Sequence, residues 1–248
     1  MLNKTILSTD CGNQYRRKEV AMKHNRLLSL VLASVMSIGI FPATPAFAAD
    51  ARSDVELTIQ VDDTTKITAT IPQEYVSVVS EQDLLDIALD EGLQNGEHIN
   101  IHHVEVAEDV PQVVPQFIIV VNSYPTTLTK VGSEWGAQSY FVISVAKGQT
   151  TTLSKEFSKT LTAAVSGSPY SITAELQASV TASYSVTYEF SGPPESSPFN
   201  SREYRVRFYA QTYNYSQDHY MSGLYIGTRT GTVDKPTRWA SYSIDSIQ

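Results

Sequence analysis

The sequence predicts a mainly β protein: an elongated antiparallel β-sandwich with a long Ser/Thr-rich hairpin and a small acidic α+β N-terminal portion. Three observations support this prediction. Residues 172–190 alternate between apolar and polar without a break, shorter segments after residue 110 alternate similarly, and the strongest helix signature lies before residue 110. Alternation with a period of two is typical of strands, because successive strand side chains point to opposite faces.

The run 172–190 is the longest alternating segment. Every odd position within it is polar, and no glycine or proline interrupts it. Globular strands usually have about 5–6 residues and seldom more than about 10. We therefore predict one unusually long, continuous strand with two different faces. Its apolar face consists of Ile172, Ala174, Leu176, Ala178, Val180, Ala182, Tyr184, Val186, Tyr188 and Phe190.

The acidic portion, residues 49–110, contains the first predicted elements. Strands are expected at 55–61, 65–71 and 97–106. A helix is expected before the third strand, because Ser80 is a favourable N-cap and Asp83 completes a capping box. Gly92 suits the left-handed residue that ends many helices.

Residues 111–248 are predicted to form an antiparallel β domain, joined to the acidic portion by a proline-containing stretch. Strands are expected at 117–121, 139–146, 151–165, 203–215, 219–233 and 238–247. The turn 166–169 joins one of these strands to the long run, so residues 150–191 form a candidate hairpin. Gly192 and two following prolines end it.

The N-terminus has the pattern of a secretory signal peptide at residues 22–48. Basic side chains follow Met22, a 15-residue apolar core follows them, and the motif 46–48 predicts cleavage after Ala48. Residues 1–21 are interpreted as an upstream extension that need not be translated. Because the single cysteine, Cys11, precedes the cleavage site, the sequence predicts a secreted, disulfide-free protein, in the style of bacterial extracellular proteins.

The charge distribution bears on the partners. Residues 49–248 carry 12 basic and 24 acidic side chains, a net charge of −12, and 15 of the acids lie within 49–110. Phosphate backbones would be repelled by such a chain, which excludes nucleic acid as a partner. The same charge disfavours simple electrostatic adhesion to anionic lipid.

The predicted hairpin has the two faces that a membrane-crossing β-hairpin requires, one for lipid and one for water. Residues 150–191 resemble the stem hairpin of aerolysin and epsilon-toxin type pore-forming proteins. The resemblance implies a hairpin that lies folded on a soluble body and inserts into membrane lipid after homo-oligomerisation. Lys155 and Lys159 interrupt the apolar face of the first arm. The candidate membrane-facing residues are Leu153, Phe157, Leu161, Ile172, Leu176, Val180, Tyr184, Val186, Tyr188 and Phe190.

Two alternatives remain open. In one, the hairpin is a structural element of a soluble surface protein. One face of the hairpin is then exposed to solvent, which explains its Ser and Thr side chains. Such a protein could bind a cell-surface or cell-wall glycan through Arg205, Arg207 and Tyr209, which share one strand face, while Tyr204 and Phe208 face the core. The other alternative is a hydrolase.

The sequence contains no catalytic or cofactor-binding signature. Gly-x-Ser-x-Gly, His-Glu-x-x-His and phosphate-loop motifs are absent. His98 and His102 would lie about 13 Å apart on a strand, too far to bind one metal ion, and with His103 they are interpreted as surface-strand residues. Calcium ligands need alternating loop positions, so we interpret the acidic helix residues as a solvated face. These are Asp83, Asp86, Asp90 and Glu91. We predict no cofactor, no metal and no catalytic residue.

Overall fold

A computed structural model describes residues 54–107 and 122–247 of the protein. The mainly β architecture predicted from the sequence is confirmed. The strands are β1 (Val55–Gln60), β2 (Lys66–Ile71), β3 (His98–Val106), β4 (Asn122–Ser123), β5 (Thr126–Ala146), β6 (Thr150–Thr152), β7 (Phe157–Thr162), β8 (Ala164–Gly167), β9 (Ser179–Tyr184), β10 (Glu189–Ser191), β11 (Ser201–Met221) and β12 (Leu224–Ser246). The helices are α1 (Glu81–Glu91) and two 3₁₀ turns, Gln73–Tyr75 and Ala174–Leu176. The predicted signal peptide and the strand at 117–121 lie outside the described residues.

Three very long strands, β5, β11 and β12, form the centre of the fold, and we call them the long sheet. β11 pairs antiparallel with β12 on one side and with β5 on the other. β12 has 23 residues, which corresponds to about 75 Å of extended chain. A two-residue turn at Ser222 and Gly223, both with positive φ, joins β11 to β12 and matches the twist of the two strands.

The sequence divided these long strands into shorter ones, and that division is wrong. The predicted break near Pro236 is a β-bulge: Pro236 pairs with Ala210, and the register shifts beside it. The predicted start of β5 at residue 139 is also too late, because the strand continues across Gly132 and Gly136 through register shifts. Bulges absorb residues that would otherwise end a strand.

The acidic portion continues the long sheet. β3 pairs antiparallel with β12, β2 runs parallel to β3, and β1 closes the edge. The predicted helix begins as expected, because the Ser80–Asp83 capping box is formed and Gly92 ends α1 with φ of 66°. The buried face of α1 packs on this part of the sheet through Leu84, Ile87 and Ala88, against Ile99, Ile101 and Tyr242.

The run 172–190 is not a single strand, which corrects the prediction. It contains the 3₁₀ turn Ala174–Leu176, the strand β9, an irregular stretch at 185–188, and β10. Tertiary contacts explain the break. Leu176 is 1% exposed and packs with Tyr215 and Val233. The first half of the run leaves the extended conformation and thereby makes this contact.

Residues 150–191 nevertheless form a hairpin. β6 pairs with β10 and β7 pairs with β9, both antiparallel. The two ladders share one register, because the irregular stretches between them, 153–156 and 185–188, have equal length. The last rung is the bond from Ala163 N–H to the Ala178 carbonyl, 2.8 Å. Beyond it the arms separate, and β8 pairs with β12 instead.

Candidate functional site

The hairpin register places the apolar residues of both arms on one face. Phe157 lies opposite Tyr184, and Leu161 lies opposite Val180. Residues directly opposite each other on paired strands share a face of the sheet. The structure therefore brings these four of the candidate membrane-facing residues onto one face, although the sequence could not supply the register.

This apolar face packs on the long sheet. Val180, Ala182 and Phe190 are at most 6% exposed, and Leu153, Phe157 and Leu161 are half-buried against the same cluster. The buried residues of the contact are Val180, Ala182, Tyr184 and Phe190 from the hairpin and Val145, Tyr204, Val206, Phe208 and Trp239 from the long sheet.

The opposite face of the hairpin is exposed and made of hydroxyl side chains. Thr160 and Thr181 are cross-strand partners whose Oγ1 atoms lie 2.8 Å apart. The exposed residues of this face in β7 and β9 are Ser158, Thr160, Thr162, Ser179, Thr181 and Ser183. The hairpin is thus a two-faced layer, with an apolar side on the protein and a hydroxyl side in water.

Three candidate membrane-facing residues are already exposed. Ile172, Val186 and Tyr188 are 51%, 47% and 46% exposed, because they lie in the irregular parts of the hairpin. Tyr188 still contacts the buried cluster, with its ring tilted against that of Phe190 and the two ring centroids 4.8 Å apart. Leu176 belongs to a separate buried cluster with Tyr215.

The two lysines of the apolar face remain in water. Lys155 and Lys159 are both exposed. The Lys159 ammonium lies 5.0 Å from the ring centroid of Tyr140 on β5, which gives a cation–π contact at the border of the buried cluster. In this structure neither charge is desolvated.

A four-residue ladder between β8 and β12 holds the end of the hairpin, and we call it the clasp. Gly167 pairs with Gly231, and Val165 pairs with Val233. The Tyr215 side chain lies beside both glycines, so that a Cβ on Gly231 would lie 2.7 Å from its hydroxyl oxygen and would also collide with the Ser166 carbonyl oxygen. The close backbone approach in the clasp therefore requires glycine.

Gln217 is a second attachment that sequence reasoning missed. Its buried side-chain amide accepts the Ser171 N–H at 3.0 Å and donates to the Ser171 carbonyl at 2.9 Å. The side chain thereby pairs with the loop backbone as a neighbouring strand would. The alternating pattern of β11 gives no signal for this role, because a buried glutamine looks like any polar strand residue.

The predicted surface-binding residues are not a binding surface. Arg207 and Tyr209 are 3% and 2% exposed, because α1 covers the face that the sequence assigned to solvent. Arg205 is half-buried, and its guanidinium lies 2.8 Å from Glu91. The assignment of Tyr204 and Phe208 to the core is correct, but both faces of β11 are buried here.

The acids of α1 are largely engaged, which corrects their interpretation as a solvated face. Asp83 pairs with Arg238 at 2.9 Å, and Asp90 pairs with Arg207 at 2.6 Å. Glu91 also accepts hydrogen bonds from Ser139 and Tyr242. The acids and the arginines are more than 100 residues apart in the chain, so sequence spacing could not reveal the pairing.

The histidines of β3 do not form a metal site. Within residues 54–107 and 122–247, no group of three His, Cys, Asp or Glu side chains could hold a metal ion. His103 is exposed as predicted, whereas His102 is mostly buried, with Nε2 2.8 Å from Ser243 Oγ and its ring stacked on Tyr204. Burial, assisted by the charge of Arg202, lowers the pKa of His102 to about 4.

This buried imidazole should make the fold sensitive to acid. The unfolded chain binds a proton at His102 below about pH 6.5, whereas the folded chain does so only near the lowered pKa, about 4. Stability is therefore lost as pH falls through this window. We expect His102→Gln to reduce the loss of unfolding free energy between pH 7 and pH 4.5 by about 1–2 kcal/mol, as measured by urea denaturation. Equal pH dependence in the wild type and in His102→Gln would contradict the assignment.

Two cavities lined by residues that the structure describes show no catalytic pair. The larger one, about 490 Å³, is lined by hydroxyl and amide side chains with Tyr215 and contains no Asp, Glu, His or Lys. A smaller one of about 220 Å³ contains Glu91, Glu97, Glu203 and Arg205, but Glu91 and Arg205 bind each other. Neither cavity offers a reason to favour the hydrolase alternative.

No helix within the described part of the chain is both long and apolar enough to cross a membrane. Comparison of the chain with protein-family models, with curated proteins and with solved structures gives no match.

Proposed function

We propose that this chain is a secreted, non-enzymatic, membrane-acting protein whose hairpin 150–191 leaves the long sheet and inserts into lipid. One observation carries the proposal: the two ladders of the hairpin share a register that puts the apolar residues of both arms on one face, interrupted by Lys155 and Lys159, and hydroxyl residues on the other. A structural hairpin needs such a face only where it touches the core. Here the alternation of the sequence continues through Val186 and Ile172, which are exposed and do not face the core.

The length of the hairpin suits this role. The paired arms extend over residues 150–163 and 178–191, whereas about 9–11 residues of a tilted strand cross a bilayer. If the register continued beyond Ala163, Val165 would face Leu176, and the turn would form at Tyr170 and Ser171. The alternation of both segments permits this extension without changing the face of any side chain.

Lipid is the environment that makes release favourable. Each apolar side chain that leaves the long sheet for water costs about 1.5–3 kcal/mol, and Val180 and Phe190 are almost fully buried there. A bilayer supplies an apolar environment in place of the lost contacts. A single hairpin would still leave backbone groups unpaired at its two edges, which is costly in lipid, so we propose that several copies pair edge to edge as a homo-oligomer.

The proposal is tested by placing one lysine on either face of the hairpin. Val186 and the adjacent Thr187 are both exposed, so neither substitution should disturb the soluble fold. Val186→Lys would place a charge toward lipid, at a cost of about 2–4 kcal/mol, whereas Thr187→Lys would place it on the wet face. We expect release of a dye from liposomes to fall at least about tenfold for Val186→Lys and to remain near wild type for Thr187→Lys.

The outcome of this comparison decides between the two leading functions. Equal leakage by Val186→Lys and Thr187→Lys, or no leakage by the wild type, would reject the insertion hairpin. The soluble surface protein with a structural hairpin would then be favoured, since Ala182 and Phe190 are fully buried on the long sheet as ordinary core residues would be.

A further inference from the structure

The turn between β11 and β12 ends in a cluster of exposed apolar side chains, which we call the apolar tip. Leu224 is 69% exposed, Tyr225 53%, Ile226 47% and Met221 45%. The hairpin turn itself, Ser222 and Gly223, adds no charge. Clusters of exposed apolar side chains are a feature of protein and membrane interaction sites.

Behind the apolar tip lies a layer of aromatic and basic side chains. Tyr220 pairs with Tyr225 across the strands, with ring centroids 5.6 Å apart. One residue pair further from the turn, the His219 ring packs against two tyrosines. Its centroid lies 5.0 Å from that of Tyr124 and 4.9 Å from that of Tyr170. The Arg229 guanidinium carbon lies 4.2 Å from the ring centroid of Tyr170, and the guanidinium donates a hydrogen bond to the Ser168 carbonyl.

We infer that the apolar tip is the site of first contact with a phospholipid surface, an inference that rests on the proposed membrane function. Apolar side chains in front and tyrosines behind them match the order of acyl chains and head groups in a bilayer. Among the described residues, Asp218 and Arg229 are the charged ones near the tip, so this end is close to neutral, unlike the acidic portion with its 15 acids. A zwitterionic membrane therefore suits it better than an anionic one.

A protein partner fits the apolar tip less well. A standard protein interface takes about 20–30 residues from each side, whereas the tip offers four apolar residues on a protruding turn. The tip also lies beside the loop of the insertion hairpin. Gln217, near the end of β11, holds Ser171, and a Cβ on Gly227 would lie 2.9 Å from the Tyr170 hydroxyl. Lipid contact at the tip would therefore place the end of the hairpin at the membrane.

The test is flotation of the protein with neutral phosphatidylcholine vesicles. We expect Leu224→Asn combined with Ile226→Asn to weaken vesicle binding at least about tenfold, because two exposed apolar side chains no longer enter the lipid. Leu89→Asn is the matched control, since Leu89 is an equally apolar residue, 57% exposed, on α1. It should bind as the wild type does. Because the replaced side chains are exposed, the urea midpoint of each variant should stay unchanged.

The outcomes separate this inference from the proposed function. Val186→Lys should still bind vesicles while failing to release dye, which would support contact and insertion as separate steps. Unchanged flotation of the double variant, or no flotation of the wild type, would overturn the apolar tip as a lipid site. So would a wild-type dimer in sedimentation without lipid that the double variant dissociates, since the tip would then be an interface between copies.

Discussion

A chain carrying Ser166→Cys and Thr232→Cys is expected to lose dye release when oxidised and to regain it when reduced. These residues are directly opposite partners in the clasp. Such partners have Cα atoms about 4.5–5.5 Å apart, within the range that a disulfide requires. The bond would fix the end of the hairpin to β12. We expect at least about a hundredfold less leakage, because β8 cannot separate from β12 while the covalent bond is intact.

A second disulfide provides the control. Thr160→Cys and Thr181→Cys would join the two arms of the hairpin to each other, at partners with adjacent hydroxyl groups. This bond preserves the register and leaves the hairpin free to move as a unit, so leakage should remain near wild type. Both variants are made with Cys11→Ser, which removes the single natural thiol. Leakage by the oxidised clasp variant would show that release does not require separation of β8 from β12.

Replacement of Arg238 by methionine is expected to give the largest loss of stability. The Arg238 side chain is 7% exposed and binds Asp83 at 2.9 Å and Glu134 at 2.7 Å. Its guanidinium also lies 3.8 Å from the Tyr209 ring centroid. Removing the cation from a buried charge cluster leaves partly desolvated carboxylates without their counter-charge, which typically costs about 3–5 kcal/mol. Urea denaturation should show a lower midpoint with an unchanged m value.

Two variants identify the origin of this loss. Lys235→Met removes a partly exposed cation from the same strand and should change the unfolding free energy by less than about 0.5 kcal/mol. Adding Glu134→Gln to Arg238→Met should recover part of the loss, since a neutral amide is less costly to bury than a carboxylate and Asp83 keeps its place in the helix cap. If the double variant is no more stable than Arg238→Met, the loss arises from packing on Tyr209 instead of from unpaired charge.

The sequence was sufficient where local chemistry decides the structure. The helix α1 was predicted with both ends, because the Ser80–Asp83 capping box and Gly92 act within a few residues. The arms of the hairpin were also found, since β7 and β9 keep the alternation that predicted them. These elements depend on neighbouring residues, and the relevant signals are visible in a single segment.

The wrong predictions concern residues whose structure depends on segments far away in the sequence. Leu176 leaves the strand because Tyr215 and Val233, far along the chain, offer it a buried site. Tyr209 and Arg207 lie on a strand face that resembles a polar surface, but α1 covers it with matching carboxylates. Pro236 resembles a strand end until the bulge opposite Ala210 is known. The alternation within one segment carries no information about contacts with distant segments. Periodicity alone therefore assigns these residues to the wrong face or element.

The contact between the hairpin and the long sheet buries apolar side chains of both. If the hairpin departs as proposed, Val206, Phe208 and Trp239 lose the layer that keeps them at most 5% exposed. The long sheet would then expose an apolar surface of its own to water. Unless another copy of the chain covers that surface, the released monomer would aggregate. Release of the hairpin far from a membrane that carries other copies would therefore inactivate the protein.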